Sequence, residues 1–233
     1  MVQRVYERVR RASCVARVLV ATDDERIARA VAAFGGEVVM TSPEHATGTD
    51  RLAEAAASLD ADVIVNVQGD EPLIDPAAID AVVGPFADEP SLPMSTVSLP
   101  LHSLADMLSP TVVKVVTDTR GNALYFSRSP IPHVRDGGPS DARSAAERAI
   151  ALGLARQHVG LYAYRKDALL RFAALPRSPL EDAEGLEQLR ALAAGMAIRV
   201  VRREGEAGRA VDTPADLEQV RLLLGSAAYE TEA

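Results

Sequence analysis

The segment Val63-Ile-Val-Asn-Val-Gln-Gly-Asp-Glu-Pro72 decides the fold class, because an apolar strand ends there in a tight turn that carries two carboxylates. In an open α/β sheet, ligands bind outside the carboxyl ends of the strands. Gln68, Asp70 and Glu71 follow the apolar run directly. We therefore expect these three side chains at a ligand-binding edge of the sheet.

Strands and helices alternate before and after this segment. Upstream, residues 16–21 and 37–40 are predicted strands, and the polar cluster at 22–24 is a predicted N-cap for the helix between them. A helix over 50–59 leads into the opening strand, and Pro76 starts the next helix. This alternation is typical of a parallel sheet with helices on both faces.

The second half of the chain differs, because short connections join three predicted strands. These strands cover residues 94–99, 112–116 and 122–127, with a hairpin turn predicted at 118–121. We expect an antiparallel excursion from the main sheet here. The remaining predictions are a flexible loop over 136–143, a helix over 145–155, a strand over 158–164, a helix from the capping box at Ser178 to Gly195, a strand over 198–202 and a last helix capped by Thr213.

The composition excludes several classes of function. The chain has 233 residues, 48% of them hydrophobic, and we interpret residues 1–226 as a single domain and residues 227–233 as a disordered tail. A net charge of -8 without a basic block argues against nucleic acid and favours a small-molecule substrate. One cysteine, no membrane-spanning apolar run and no secretory leader predict a cytoplasmic protein without a membrane partner.

Asp70 and Asp212 are candidate metal ligands. Each lies just past a predicted strand or beside a helix start, where a carboxylate is poorly placed for core packing. Mg²⁺ prefers oxygen ligands and is commonly held by one or two carboxylates together with water and substrate phosphates. The alternative is that Asp212 belongs to an ordinary helix start, since capping carboxylates are common.

Polar side chains in the second half form another group of candidates. His158 and Tyr162 are four residues apart on a predicted strand, so they share one face and together could hold a polar ligand. The alternative is a hydrogen-bonded core histidine beside a cross-strand aromatic. Arg128 suits an anion or a surface ion pair. Glu181, Glu184 and Glu187 form an acidic stripe that is typical of a solvated helix face.

The loop Ala46-Thr-Gly-Thr-Asp-Arg51 opens a helix with hydroxyls and backbone N–H groups, which is compatible with nucleotide contacts. The same sequence is also an ordinary kind of helix cap. Neither a Walker A motif nor a G-x-G-x-x-G fingerprint occurs in the chain. A P-loop ATPase and a dinucleotide-dependent dehydrogenase are therefore both unsupported.

Seven segments, taken in order, resemble a known family. They are Val-Ala-Thr-Asp at 20–23, Thr-Gly-Thr-Asp-Arg at 47–51, Val-Asn-Val-Gln-Gly-Asp-Glu-Pro at 65–72, Tyr-Phe-Ser-Arg at 125–128, His-Val-Gly-Leu-Tyr-Ala-Tyr-Arg at 158–165, Ser-Pro-Leu-Glu at 178–181 and Val-Asp-Thr-Pro at 211–214. Their order and spacing closely resemble the 3-deoxy-manno-octulosonate (Kdo) cytidylyltransferases, also called CMP-Kdo synthetases.

The resemblance implies transfer of CMP from CTP to Kdo, which gives CMP-Kdo and pyrophosphate for lipopolysaccharide biosynthesis. It also implies a Rossmann-like nucleotide-diphospho-sugar transferase fold, a three-layer sandwich with a mixed sheet and an antiparallel excursion, in a homodimer. By the same likeness Asp70 and Asp212 hold Mg²⁺ and, with Arg128, form the catalytic set. The implied sugar contacts are Gln68, Arg128, His158, Tyr162, Glu187 and Gln188, and the implied nucleotide contacts are Thr47, Thr49 and Arg51.

The start of the chain departs from this resemblance. Family members begin with a strand and a basic loop that binds the CTP phosphates, and we expect that strand and loop to be absent here. Under one interpretation the gene product is longer and is an ordinary cytidylyltransferase. Under the other, the short chain is an inactive nucleotide- or sugar-binding protein. Among enzymes, the alternative is a CMP-sialic acid synthetase or another sugar nucleotidyltransferase.

Overall fold

The computed structural model describes residues 1–135, 141–205, 208 and 210–224, which fall into two compact units. Unit 1 comprises residues 1–58, 67–80 and the described part of 207–233, and unit 2 comprises residues 59–66 and the described part of 81–206. Part of the predicted loop, at 136–140, and the predicted tail at 227–233 lie outside the described residues. In the described ranges, no helix has the length and apolar character needed to cross a membrane.

Helices and strands are numbered separately in chain order. The helices are α1 Val2–Val9, α2 Glu25–Ala33, α3 Gly48–Ala57, α4 Pro76–Val83, α5 Pro85–Asp88, α6 Leu104–Leu108, α7 Ala142–Ala151, α8 Lys166–Ala173, α9 Pro179–Glu184, α10 Gln188–Ala193 and α11 Pro214–Leu224. The strands are β1 Leu19–Thr22, β2 Glu37–Met40, β3 Val63–Asn66, β4 Met94–Pro100, β5 Lys114–Thr117, β6 Ala123–Ser127, β7 Arg156–Arg165 and β8 Ile198–Arg202.

Unit 1 contains a sheet of two parallel strands, β1 and β2. The predicted N-cap of the connecting helix α2 is confirmed, because the Asp24 carboxylate accepts a hydrogen bond from the N–H of Arg26 at 2.7 Å. Such a carboxylate satisfies a backbone donor that the helix itself leaves unpaired. The parallel β1–α2–β2 arrangement agrees with the alternation of the sequence.

Unit 2 contains a six-stranded mixed sheet in the order β6-β5-β7-β4-β8, with β3 also paired to β7. Strands β4 and β8 are parallel, and the other pairings are antiparallel. The predicted antiparallel excursion is confirmed as the hairpin β5–β6, whose turn ends at Gly121 with φ +83°. The expectation of a parallel pairing for the opening strand is wrong, since β3 runs antiparallel to β7. The alternation of strands and helices along the sequence does not show that β3 pairs with β7, which lies about a hundred residues later in the chain.

The single helix predicted from Ser178 to Gly195 is wrong, although its capping box forms. The Ser178 hydroxyl accepts from the N–H of Glu181 at 3.2 Å, and the Glu181 carboxylate accepts from the N–H of Ser178 at 3.2 Å. Helix α9 then ends at Gly185, whose φ of +61° lies in the left-handed region that glycine tolerates. The chain therefore starts a new helix, α10, at Gln188.

The pairing of β4 with β7 is interrupted by a β-bulge, called here the β7 bulge. Thr96 lies opposite Tyr162, but the next residue, Val97, lies opposite Val159. Residues 160–161 therefore have no partner on β4. A regular strand would separate residues that are four apart by about 13 Å. The β7 bulge shortens the path between His158 and Tyr162, whose ring centroids lie 5.2 Å apart.

Candidate active site

Two acidic segments of unit 1 are joined by a backbone hydrogen bond. Asp70 lies in the turn after β3, and Asp212 lies just before α11. The N–H of Val211 donates to the carbonyl oxygen of Asp70 at 2.9 Å. The predicted cap of α11 is confirmed at Thr213, whose hydroxyl accepts from the N–H of Asp216 at 3.2 Å. The capping of α11 therefore does not use the Asp212 carboxylate.

The Asp70 and Asp212 carboxylates make no hydrogen bond or ion pair with another residue that the structure describes. Their charges reach the partly buried Glu71. Burial, followed by the charges of Asp70 and Asp212, raises the pKa of the Glu71 carboxyl group. The segment thus concentrates negative charge without a compensating cation among the described residues.

This pair of carboxylates fits the ligand chemistry of Mg²⁺. Across the described ranges, no group of three or more His, Cys, Asp or Glu side chains is arranged to hold a metal ion. A two-carboxylate site is nonetheless common for Mg²⁺, because water and substrate phosphates complete its octahedral shell. A divalent cation at Asp70 and Asp212 would also neutralise the charge that raises the pKa of Glu71.

Thr47 and Thr49, predicted to face a nucleotide, lie at the start of α3. Thr47 is the N-cap, and its hydroxyl accepts from the N–H of Asp50 at 3.2 Å and donates to the Asp50 carboxylate at 3.0 Å. Thr49 is buried. Thr47 is therefore the cap of this helix start, whose first N–H groups have no acceptor within the helix.

Arg51 and Gln68 also belong to unit 1 but differ in their contacts. The guanidinium group of Arg51 donates to the hydroxyl of Thr41 and lies 3.2 Å from the Asp23 carboxylate. Gln68 is exposed, and its backbone carbonyl oxygen accepts a hydrogen bond from the N–H of Glu71 at 3.3 Å within the turn. Arg51 is thus engaged inside the unit, whereas the Gln68 side chain extends from the turn that carries Asp70.

His158 and Tyr162 belong to a row of aromatic rings in unit 2. The His158 ring meets Phe126 edge to face, with centroids 4.9 Å apart, and lies 5.2 Å from Tyr162. Tyr162 in turn stacks against Tyr164 at 6.0 Å. Edge-to-face and offset-stacked pairs are the favoured arrangements of aromatic rings. The row therefore holds the His158 and Tyr162 side chains in defined orientations.

Both side chains are uncharged in the folded protein at neutral pH. Burial lowers the pKa of His158 to about 3. Burial, followed by the charges of Tyr164 and Glu187, raises the pKa of Tyr162 well above its ordinary value. The two residues still keep part of their surface exposed. Together they present a neutral imidazole and a neutral phenol, which are groups that pair with sugar hydroxyls.

Glu187 and Gln188 lie where α10 begins, after the helix break at Gly185. After burial, the charge of Glu187 is the next cause that raises the pKa of Tyr164, so the Glu187 carboxylate lies near the aromatic row. Gln188 is buried, with 6% of its surface exposed. The structure therefore brings Glu187 together with the tyrosines of β7, which an unbroken helix would not have indicated.

Arg128 binds backbone carbonyls and not a surface carboxylate. Its Nε donates to the carbonyl oxygen of Glu184 at 2.6 Å, its Nη1 to that of Pro110 at 2.9 Å and its Nη2 to that of Gly185 at 3.4 Å. A guanidinium group has five N–H donors. Two of them therefore have no partner among the described residues, so Arg128 is held in place and can still bind an anion.

The prediction that Glu181, Glu184 and Glu187 lie on a solvated helix face is wrong for Glu181 and Glu184. Glu181 is 1% exposed and pairs with Arg190. The Glu184 carboxylate accepts from the N–H of Arg128 at 2.8 Å and from the Ser127 hydroxyl at 2.7 Å. Burial alone would raise the pKa of Glu184, but these hydrogen bonds outweigh burial and lower it.

Comparison with known proteins identifies the family. The sequence profile of the cytidylyltransferases matches residues 1–198. A 3-deoxy-manno-octulosonate cytidylyltransferase from Syntrophotalea carbinolica is 58% identical over 220 residues, which cover 94% of this chain and 86% of that protein. The chain belongs to the 3-deoxy-manno-octulosonate cytidylyltransferase family. The resemblance carried by the seven sequence segments is thereby confirmed.

Solved structures agree with this family membership. The structure of CMP:2-keto-3-deoxy-manno-octonic acid synthetase complexed with CTP has a TM-score of 0.85 and 44% identity, and the match covers 96% of this chain and 86% of that one. A 4-diphosphocytidyl-2C-methyl-D-erythritol synthase from Anaerococcus prevotii has a TM-score of 0.60 at 12% identity, covering 97% and 89%, and is similar in fold alone. The mixed α/β nucleotidyltransferase fold is therefore confirmed.

Sequence analysis missed two buried polar residues of this cytidylyltransferase. Lys114 is fully buried, and its Nζ donates to the carbonyl oxygens of Ser109 at 2.9 Å, Val112 at 2.5 Å and Arg128 at 2.6 Å. Thr96 is fully buried on β4 and contacts His158. The signal was present in both cases, because a lysine or threonine inside an apolar strand must find buried partners.

Proposed function

We propose that this chain transfers CMP from CTP to Kdo, releasing pyrophosphate and supplying CMP-Kdo for lipopolysaccharide biosynthesis. The observation that carries this proposal is the joining of the Asp70 and Asp212 segments by the Val211 hydrogen bond, in a chain of this family. Attack of a sugar hydroxyl on the α-phosphorus of a triphosphate brings anions together, so charge neutralisation and positioning are the main catalytic tasks.

Asp70 and Asp212 are the residues that would hold Mg²⁺. When bound, Mg²⁺ supplies Lewis-acid stabilisation of the phosphate oxygens and a template for the two substrates. The protein itself leaves both carboxylates without a partner among the described residues. It also joins their two segments through the hydrogen bond from the N–H of Val211 to the carbonyl oxygen of Asp70. A dedicated general base is not required if the metal lowers the pKa of the attacking hydroxyl.

The sugar acid binds, in this proposal, to side chains of unit 2. Arg128 offers two N–H donors to the Kdo carboxylate, and a guanidinium group binds carboxylates well through such charge-assisted hydrogen bonds. His158 and Tyr162 offer neutral hydrogen-bonding groups to the hydroxyls. Glu187 and Gln188 complete the set of proposed sugar contacts from the start of α10.

The nucleotide is proposed to lie near the start of α3. There Thr47 and Thr49 form a helix N-terminus, which attracts phosphate or the polar edge of a base. Arg51 contributes positive charge, although it already pairs with Asp23. These assignments predict that changes at Thr47 and Arg51 affect CTP use more than Kdo use.

We further propose a homodimer in the cytoplasm, where CTP is available. A dimer is supported by large apolar side chains left exposed in unit 2, namely Leu124, Leu152 and Leu154, at 62%, 63% and 49%. Light scattering on the purified chain measures the mass directly, and a monomeric mass at micromolar concentration would contradict the dimer.

A substrate panel tests the proposed reaction. Pyrophosphate release is measured with CTP and Mg²⁺ in the presence of Kdo, of N-acetylneuraminic acid, or of neither. We expect release with Kdo alone. Faster release with N-acetylneuraminic acid would instead identify a CMP-sialic acid synthetase, and no release with any sugar would show that this chain is not an active cytidylyltransferase.

A further inference from the structure

Thr96 makes an unusual set of contacts for a residue inside a buried strand. Its side chain is fully buried, and its Oγ1 lies 3.0 Å from Nε2 of His158. The same oxygen lies 2.8 Å from the carbonyl oxygen of Leu161 and 3.2 Å from that of Val159. One hydroxyl therefore faces two carbonyl oxygens and one imidazole nitrogen.

The donors and acceptors of this cluster permit one assignment. A threonine hydroxyl has a single proton, whereas a carbonyl oxygen can only accept. If the Thr96 proton pointed to His158 instead, Oγ1 would lie 2.8 and 3.2 Å from two carbonyl oxygens with no hydrogen between them, which is repulsive, so the proton points to Leu161 or Val159. The Thr96 oxygen accepts from His158, so the imidazole proton is on Nε2. Because His158 is neutral, its Nδ1 carries a lone pair and no proton.

The β7 bulge creates this cluster. Residue 159 lies at the edge of the two-residue interruption in the pairing of β4 with β7, and residue 161 lies within it. Regular pairing would direct carbonyl oxygens along the sheet, whereas a bulge redirects local backbone groups. The bulge thus supplies the acceptors that fix the Thr96 hydroxyl. It also brings the Tyr162 ring to within 5.2 Å of His158.

The other nitrogen of His158 remains available. No described residue hydrogen-bonds to Nδ1 of His158, and the one fully buried side-chain nitrogen or oxygen without a partner in the described ranges is Nε of Arg165. Nδ1 therefore keeps contact with solvent. A ligand that reaches it finds a pure hydrogen-bond acceptor in a neutral ring.

We propose that Thr96 is a positioning residue that holds His158 as the Nε2–H tautomer, so that Nδ1 accepts a hydrogen bond from a hydroxyl of the sugar substrate. This inference rests on the proposed function for the identity of the sugar, but not for the tautomer. It also specifies the chemistry of the contact. A sugar hydroxyl can donate to Nδ1, whereas an ionised carboxylate cannot, so the carboxylate of the sugar acid must bind elsewhere.

The first measurement is made on the unliganded wild-type protein. Two-bond ¹H–¹⁵N correlation spectra at neutral pH distinguish a protonated from an unprotonated ring nitrogen, and the His158→Gln variant assigns the signals among the four histidines. We expect Nε2 protonated and Nδ1 unprotonated. The reverse pattern would overturn the proposal whatever the enzymatic activity proves to be.

The matched variants are Thr96→Ser and Thr96→Val. Serine keeps the hydroxyl, so it should retain the tautomer and the kinetics of the wild type. Valine keeps the shape but leaves Nε2–H without its acceptor, so we expect a shift toward the Nδ1–H tautomer. The KM for Kdo should then rise by about tenfold, as for loss of one hydrogen bond, with a change of less than about twofold for CTP.

The outcomes separate this inference from the proposed function. An unchanged tautomer and unchanged KM for Kdo in a folded Thr96→Val variant would refute the positioning role. If Thr96→Val does not fold, the wild-type and Thr96→Ser spectra still decide the tautomer. If the wild type shows the Nε2–H tautomer but releases no pyrophosphate with Kdo, the proposed function fails while the assignment at Thr96 stands.

Discussion

The backbone N–H of Val211 donates to the carbonyl oxygen of Asp70 at 2.9 Å. The bond connects positions more than a hundred residues apart in sequence and brings the segment before α11 to the turn after β3. Both segments carry carboxylates that have no partner among the described residues. The proposed Mg²⁺ site therefore depends on a main-chain contact that most side-chain substitutions would leave intact.

Asp70→Asn and Asp212→Asn should each abolish Mg²⁺-dependent turnover without unfolding the protein. Asparagine has nearly the same shape but lacks the charge that a hard divalent cation requires. We expect turnover to fall by about 100-fold or more. In the wild type, Mg²⁺ should also raise the melting temperature, since binding to the native state stabilises it, and both variants should lose that increase.

The matched control for these variants is Asp62→Asn, which removes an exposed carboxylate from unit 2. It should leave both turnover and the response of the melting temperature to Mg²⁺ unchanged. Near-normal turnover of Asp70→Asn would refute its role as a ligand. A loss of turnover without loss of Mg²⁺-induced stabilisation would assign Asp70 to another task.

His158 should make the stability of the protein depend on pH in the acid range. Burial lowers its pKa from 6.5 to about 3 in the folded state. Between these pH values the unfolded chain binds a proton that the folded protein does not. His158 therefore does not reduce the free energy of unfolding above pH 6.5, and it reduces that free energy increasingly as the pH falls below 6.5. His158→Gln should reduce the loss of unfolding free energy between pH 7 and pH 5 by about 1 kcal/mol, after allowance for partial exposure.

Urea unfolding at the two pH values measures this difference directly. His102→Gln, which removes an exposed histidine from the same unit, is the control for losing an imidazole. A pH dependence in His158→Gln as steep as in the wild type would show that His158 is protonated as easily in the folded state as in the unfolded chain.

Lys114→Met should destabilise the protein and weaken sugar binding together. Methionine fills much of the same volume but leaves three partly buried carbonyl oxygens without the Nζ donor, including that of Arg128. We expect a loss of about 2–4 kcal/mol in the free energy of unfolding. The KM for Kdo should rise because the backbone of Arg128 is released. A loss below about 0.5 kcal/mol would show that water replaces the ammonium group.

Arg190→Met should be among the most damaging single changes. Arg190 and Glu181 form a two-point ion pair at 2.8 and 2.7 Å, with 5% and 2% of their side chains exposed. Removing the arginine leaves a buried charge unpaired, which costs about 3–5 kcal/mol. Arg177→Met is the control, because its pair with Asp182 is exposed and should contribute less than about 1 kcal/mol.

A double variant separates the pair from the packing of the arginine. Arg190→Met combined with Glu181→Gln removes both charges, and we expect it to be more stable than Arg190→Met alone. Chemical denaturation of the wild type, the two single variants Arg190→Met and Glu181→Gln, and the double variant gives the four free energies of a double-mutant cycle. If the double variant is no more stable than Arg190→Met alone, the unpaired charge is not the main cost, and contacts such as the packing of the guanidinium group over the Phe172 ring, 5.5 Å from its centroid, account for that cost instead.

Local signals in the sequence were sufficient for helix starts. Asp24, Ser178 and Thr213 each cap the helix that their sequence predicts, because a cap depends on residues within a few positions. The break at Gly185 was missed, since a glycine inside an apolar period is compatible with a continuing helix. Local sequence thus specified where helices begin better than where they end.

Non-local contacts account for what the sequence did not reveal. The i, i+4 spacing placed His158 and Tyr162 on one face, and the structure agrees, but their close approach depends on the register between β4 and β7. In the same way, Lys114 holds the carbonyl of Arg128 through a contact across fourteen residues. A hydroxyl or ammonium group in an apolar strand indicates that it has a hydrogen-bonding partner, but the sequence does not show which residue that partner is.

Because of the β7 bulge, the distance between the proposed sugar contacts His158 and Tyr162 depends on the number of residues between them in β7. An interruption of two residues preserves the alternation of the strand, so shortening β7 by residues 160–161 would keep His158 and Tyr162 on one face while the bulge disappears. Their side chains would then lie a regular strand spacing apart. An insertion or deletion at this one point would therefore change the distance between the two rings without replacing either residue.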